Sequence, residues 1–192
     1  MPDHLYGFQY LHQLYSAADP QYTGRVLVPV LWDKKAHTIV SNESSEILRM
    51  LNSGFGTLAT SDVDLYPAAM REEIDRVNAF VYDNINNGVY RCGFATAQDA
   101  YERAFERLFS ALDRVEAELG KKPYLVGDQA TEADWRLFTT LARFDAVYVD
   151  HFKCNRNRLE DFPNISRTCV ACISRRGSQP PSTSTTSSGT TT

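Results

Sequence analysis

The chain has 192 residues, 43% of them apolar and 23% charged, with a formal net charge of -4. This is the composition of an ordinary globular protein of one or two domains, and Lys and Arg cluster no further than pairs such as Lys34–Lys35 and Lys121–Lys122, which excludes a basic nucleic-acid-binding face. The longest apolar run, Val26 to Trp32, has 7 residues and contains Pro29, far short of the ~20 that span a bilayer, and the first residues lack a secretory signal, so no membrane partner and a cytoplasmic location are expected.

In chain order, Tyr10 to Ala18 reads as a helix that Asp19-Pro20 stops, because proline disfavours helical geometry in the residue before it. Val26 to Leu31 then reads as a buried strand, Asp33 to Ala36 as a turn, and Thr38 to Val40 as the partner strand. Asn42 and Ser44 precede Ile47, Leu48 and Leu51, whose spacing predicts a short helix with one apolar face.

A more charged, helical segment begins near Ser61. Met70, Ile74, Val77 and Val81 form one stripe, and Asn86-Asn87-Gly88 predicts a break or kink. Thr96 to Asp99 has the form of a capping box opening a long helix, with Tyr101, Phe105, Leu108, Leu112, Val115 and Leu119 on its apolar face and Gly120 at its end. Thr131 to Asp134 is a second capping box, ahead of Leu137, Leu141 and Phe144. From Ser174 to Thr192, 12 of 19 residues are Ser or Thr and none is aliphatic or aromatic beyond a prolyl ring, so a disordered tail is expected over 174–192.

Cys92, Cys154, Cys169 and Cys172 are too few and too irregularly spaced for a disulfide scaffold and are expected as free thiols. Cys169 and Cys172 have redox-motif spacing, but no strand signal precedes them, and no second pair supplies the four ligands of a zinc site, so no metal is expected.

Several segments together carry a resemblance. A proline sits inside the apolar strand Val26–Leu31; the polar stretch Asn42 to Glu46 opens a helix whose free N–H groups attract a carboxylate; and Leu125 to Asp128 leads into the Thr131 capping box. With Ala18–Pro20, Tyr22–Asp33, Asn86–Tyr90, Gly93–Thr96, Arg143–Tyr148 and His151–Cys154, these resemble glutathionyl-hydroquinone reductases, the Xi class of glutathione transferases, nearly continuously from Leu5 to Pro163.

The resemblance implies an α/β remnant of a thioredoxin-like domain over 1–60, followed by an all-helical glutathione transferase C-terminal domain over 61–173. It implies glutathione as cosubstrate, glutathionyl conjugates of aromatic quinones as substrates, and a possible homodimer. Arg25, Val26, Leu27 and Val28 match the segment lining the glutathione site, with Val28–Pro29 cis and the Val28 backbone facing the tripeptide. Glu43 and Ser44 match the pair that grips its γ-glutamyl end. Tyr90 matches a proton donor and acceptor for the aromatic substrate, and Tyr148 a tyrosine that lowers the catalytic thiol's pKa. Taken without the resemblance, Arg25 reads as a surface charge, Glu43 as a helix-dipole partner, and both tyrosines as packed aromatics.

One departure is evident. The family's nucleophilic cysteine is followed by proline, and no Cys-Pro dipeptide occurs in this sequence. The family's first strand and helix and its closing helices are expected to be missing, and the thiol chemistry to be absent or vestigial in these 192 residues. The alternative is a non-catalytic interaction module on the same fold.

Overall fold

The computed structural model describes residues 3–59 and 63–174. They form two compact units that divide between Asp64 and Leu65. An α/β unit precedes an all-helical one, which is the architecture expected.

In the first unit, α1 (Leu11–Ala18) ends at Asp19, as the proline after it requires. The hairpin follows, β1 (Leu31–Asp33) pairing antiparallel with β2 (Thr38–Ser41), with a bulge at Leu31/Trp32. Asp33 Oδ1 accepts the Lys35 and Ala36 N–H groups at 2.7 and 2.9 Å, and His37 closes the turn at φ 52°. Next comes α2 (Ser44–Ser53), its first turn fastened by Ser41, whose hydroxyl donates to Glu46 Oε2 at 2.8 Å and accepts the Glu43 N–H at 3.1 Å.

The buried strand expected over Val26–Leu31 is corrected: only Leu31 enters a strand, and Val26, Leu27 and Val28 are 38%, 44% and 75% exposed. Pro29 has no N–H to give a ladder, and the Leu27 backbone bonds to a side chain instead of a strand. The apolar face expected on α2 is likewise not buried, since Leu48 and Leu51 are exposed, and among the described residues Tyr15 and Ser41 are the unit's buried ones.

In the second unit, α3 (Arg71–Val81), a π-helical turn (Tyr82–Asn86) and α4 (Asn87–Gly93) run on without interruption. The break expected at Asn86-Asn87-Gly88 is thus a widened turn. Asn86 Nδ2 ties it to the next layer by donating to the Arg136 carbonyl at 3.0 Å and to Thr140 Oγ1 at 2.9 Å, and Gly88 admits Leu108, which a Cβ would meet at 3.2 Å. The antiparallel partner is α5 (Gln98–Leu119), with Leu108, Leu112, Val115 and Leu119 buried. The box expected at Thr96 is not formed: Ala97 is the N-cap, and no side chain caps the helix.

The second box does form and opens α6 (Glu132–Leu141). Asp134 Oδ2 accepts the Thr131 N–H at 2.9 Å and hydroxyl at 3.1 Å, while its Oδ1 accepts the Leu125 N–H at 2.8 Å. A second π-helical turn (Phe144–Tyr148) leads into α7 (Val149–His151). A helix that the sequence pattern did not announce, α8 (Pro163–Ser174), buries Ile165, Thr168 and Cys172. It starts where it does because Glu116 on α5 accepts the Asn164 and Ile165 N–H groups at 2.9 and 2.8 Å, satisfying donors a helix start leaves open. Ser174 closes α8, and the rest of the tail expected over 174–192 lies outside the described residues. Among the described residues no helix is long and apolar enough to cross a membrane.

Candidate functional site

Two groups of side chains stand out, one in each unit. In the first, the Val28–Pro29 bond is cis, as the resemblance implies. Val28 is well exposed, and among the described residues its backbone N–H and C=O make no hydrogen bond. Before it in the chain, the Arg25 carbonyl accepts the Tyr22 hydroxyl at 2.7 Å, and the Leu27 N–H and C=O both meet the Tyr15 hydroxyl, at 3.2 and 2.8 Å. The Val26 and Arg25 side chains are exposed, leaving the segment open to a ligand.

On α2, Glu43 is the N-cap and Ser44 the first helical residue, and both are exposed. The Glu43 carboxylate makes no capping bond, so it is available to a cation. The N–H groups of Ser44, Ser45 and Glu46 precede the first intrahelical donor, Ile47, and the helix dipole favours an anion there. A carboxylate beside free N–H groups suits an ammonium and a carboxylate carried on one carbon, which is an α-amino acid end.

The sequence reading missed Tyr15. It lies in α1 at 2% exposure, and its hydroxyl also accepts Asn42 Nδ2 at 3.1 Å. Nothing in the spacing of α1 separates this tyrosine from an ordinary core residue.

In the second unit, the hydroxyls of Tyr90 on α4 and Tyr148 in the second π-helical turn lie 3.4 Å apart, though 58 residues separate them in the chain. Their rings meet edge to face at 5.9 Å, and Phe152 packs on both, at 5.5 Å from Tyr90 and 5.3 Å from Tyr148. Gly93 makes this possible, because a Cβ there would stand 2.3 Å from Phe152 Cγ. Each tyrosine follows or ends a π-helical turn, a geometry that recurs at functional sites. Phe152 and Gly93 were also missed, since neither carries a reactive group.

The two phenols differ in setting. Tyr90 is 45% exposed and Tyr148 only 5%. Burial, and then the hydrogen bond to Tyr90, push the Tyr148 phenol up to about 12, so it stays protonated at neutral pH. A groove of about 800 Å³ is lined by Tyr90 and Phe94 together with Arg91, Arg103 and Arg107, offering aromatic and cationic surface together.

The cysteines offer no such opening. Cys92 and Cys154 are buried, and their mutual hydrogen bond pushes the Cys154 thiol up and holds Cys92 down. Cys169, partly buried, is raised to about 11 by burial, and so remains a thiol. Among the described residues no three His, Cys, Asp or Glu side chains gather as metal ligands would.

Comparison with known proteins points to one family. Residues 98–167 match the family model of the glutathione S-transferase C-terminal domain. The chain is 58% identical over 167 residues to the glutathionyl-hydroquinone reductase PcpF of Sphingobium chlorophenolicum, covering 87% of this chain and 53% of that protein. It is 56% identical over 163 residues to the glutathionyl-hydroquinone reductase YqjG of Escherichia coli, covering 85% and 50%. The chain therefore spans about half the length of the curated relatives it matches. Among solved structures, glutathione-bound YqjG superposes with a TM-score of 0.88 at 53% identity, over 90% of this chain and 56% of that one. Glutathione transferase Xi 1 of Trametes versicolor gives 0.87 at 52%, over 91% and 61%.

Proposed function

We propose that this chain, a homologue of the Xi-class glutathione transferases, binds glutathione through its first unit and serves the reductive cleavage of glutathionyl-hydroquinones. The observation that carries the reading is the unpaired, exposed Val28 backbone in a unit that also presents the Glu43 carboxylate and the open first turn of α2. The Val28 N–H and C=O pair with the cysteinyl backbone, Glu43 takes the γ-glutamyl ammonium, and Ser44 with the α2 N-terminus takes its carboxylate. Arg25 and the backbone of Val26 and Leu27 line the same site.

In the full reaction a cysteine thiolate attacks the sulfur of the conjugate. The carbon–sulfur bond breaks, the aromatic carbon takes a proton, and a mixed disulfide forms; a second glutathione thiolate then releases oxidised glutathione and restores the thiolate. Tyr90 and Tyr148 are the proton-handling residues of this scheme. Tyr148, held protonated, donates a hydrogen bond to a thiolate, and Tyr90, more exposed, exchanges the proton with the substrate carbon. A cytoplasmic setting, where glutathione is kept reduced, belongs to the same proposal, as does a homodimeric state.

A second reading, a non-catalytic interaction module on the same fold, is favoured by one feature: none of the four cysteines precedes a proline. The two readings meet in one experiment. The 192-residue chain is incubated with glutathionyl-hydroquinone and excess glutathione, following conjugate binding and release of hydroquinone. The expected result is saturable binding of the conjugate, which the module reading does not give, without turnover above buffer, because none of the four cysteines stands as the nucleophile of the scheme. Turnover abolished by Cys92→Ser or Cys154→Ser would show that these thiols act as nucleophiles and would remove the module reading, while failure to bind the conjugate would overturn the family function for this chain.

A further inference from the structure

The Tyr15 hydroxyl carries an unusual load. A phenol has one proton to donate and two lone pairs, and this one uses all three: it donates to the Leu27 carbonyl at 2.8 Å and accepts from the Leu27 N–H at 3.2 Å and from Asn42 Nδ2 at 3.1 Å. Leu27 immediately precedes Val28, and Asn42 immediately precedes Glu43. One buried oxygen therefore holds the two segments that carry the proposed ligand contacts, reaching 12 and 27 residues along the chain to do so.

The bonding also decides which backbone groups remain for a ligand. Tyr15 takes both polar groups of Leu27, and Tyr22, whose ring lies 4.9 Å from that of Tyr15, takes the Arg25 carbonyl, so Val28 follows directly on a clasped residue with its own N–H and C=O unbonded among the described residues. Among the described residues Val26 to Val30 belong to no strand, β1 beginning only at Leu31, so the phenol rather than a ladder holds Leu27.

We infer that Tyr15 is a positioning residue for the glutathione site, setting the orientation of the Val28 backbone and its distance from the Glu43–Ser44 end of α2, without touching the tripeptide. The inference rests on the glutathione reading given above. Binding groups held in place before the ligand arrives cost less to organise on binding, so removing the hydroxyl costs affinity even where every contact residue is kept.

The test is Tyr15→Phe, which retains the ring against Tyr22 and removes only the clasp. Reduced glutathione is titrated into the wild-type chain and the variant, with backbone amides followed by NMR. The wild type should show shifts at Val28 and at Ser44 to Glu46. In Tyr15→Phe the dissociation constant should rise about tenfold, the response of Val28 should be lost, and that of Ser44 to Glu46 should persist, a split a merely structural role would not produce. Asn42→Ala, which removes one of the three bonds, should show a smaller weakening of the same kind. An unchanged dissociation constant in Tyr15→Phe overturns the inference, and so does uniform loss of response with collapse of the first unit's amide dispersion, because Tyr15 is then structural. Failure of the wild type itself to respond overturns the glutathione reading and this inference with it, and is told apart by occurring before any substitution is made.

Discussion

The hydroxyl oxygens of Tyr90 and Tyr148 approach to 3.4 Å, yet one phenol is 45% exposed and the other 5%. A pair of identical groups in unequal surroundings can hold a proton on one member and exchange it at the other. The ionisation of Tyr148 follows from this. Its pKa, raised from 10.0 to about 12, should leave its ring carbon resonance unmoved by NMR while ordinary tyrosines titrate, and Tyr90→Phe should lower that pKa without restoring it, because burial is the larger cause. The sign for stability is fixed as well: a group protonated more tightly in the folded state supports folding below pH 10 and loses that support as pH rises towards 12. Titration of Tyr148 with the bulk tyrosines would contradict the asymmetry.

Gly93 should tolerate no side chain. A Cβ would lie 2.3 Å from Phe152 Cγ, so Gly93→Ala must push the ring off Tyr90 and Tyr148. Overpacking of this kind costs about 1–3 kcal/mol, readable as a lowered denaturant midpoint with unchanged slope. An unchanged midpoint would mean that Phe152 moves freely.

Asp134→Ala should be more harmful than Thr131→Ala. The carboxylate of Asp134 serves the Thr131 N–H and hydroxyl and the Leu125 N–H at once, so its removal orphans buried donors, whereas Thr131 supplies only its half of the cap. A lost cap costs about 1 kcal/mol, and each unsatisfied buried donor about 1–3 kcal/mol more. Equal destabilisation by the two variants would refute the ranking.

The helical unit was largely readable from sequence because its elements are long and periodic: the α5 stripe from Leu108 to Leu119 and the Thr131 box are local signals that tertiary context did not override. The strand expected from Val26 failed for the complementary reason. An apolar run becomes a strand only if another strand pairs with it; Pro29 stands in the run, but the phenol that occupies Leu27 comes from Tyr15, 12 residues away, and no sequence window around the run shows it. The Thr96 box failed by one residue, Ala97 taking the cap, and α8 went unread because its start is set by Glu116, 48 residues before Asn164. Of the candidate site, residues with reactive groups were named from the resemblance. Tyr15, Gly93 and Phe152, which act by holding others, leave no mark in spacing or composition.

Local stability should differ between the units. The first buries only Tyr15 and Ser41 among its described residues, whereas α5 alone buries Leu108, Phe109, Ala111, Leu112, Val115 and Leu119. Native-state hydrogen exchange should therefore show α5 amides opening only with global unfolding and α2 amides opening far more readily. Equal protection in α2 and α5 would show that the first unit has support beyond its own core.

The central claim, that the first unit binds glutathione, is tested most directly by calorimetric titration of reduced glutathione into the purified chain and its Glu43→Ala variant. The account predicts saturable binding with one site per chain, weakened about tenfold or more in the variant because a charge-assisted hydrogen bond to the γ-glutamyl ammonium is lost. No saturable heat with the wild-type chain, or equal affinity in the variant, would contradict it.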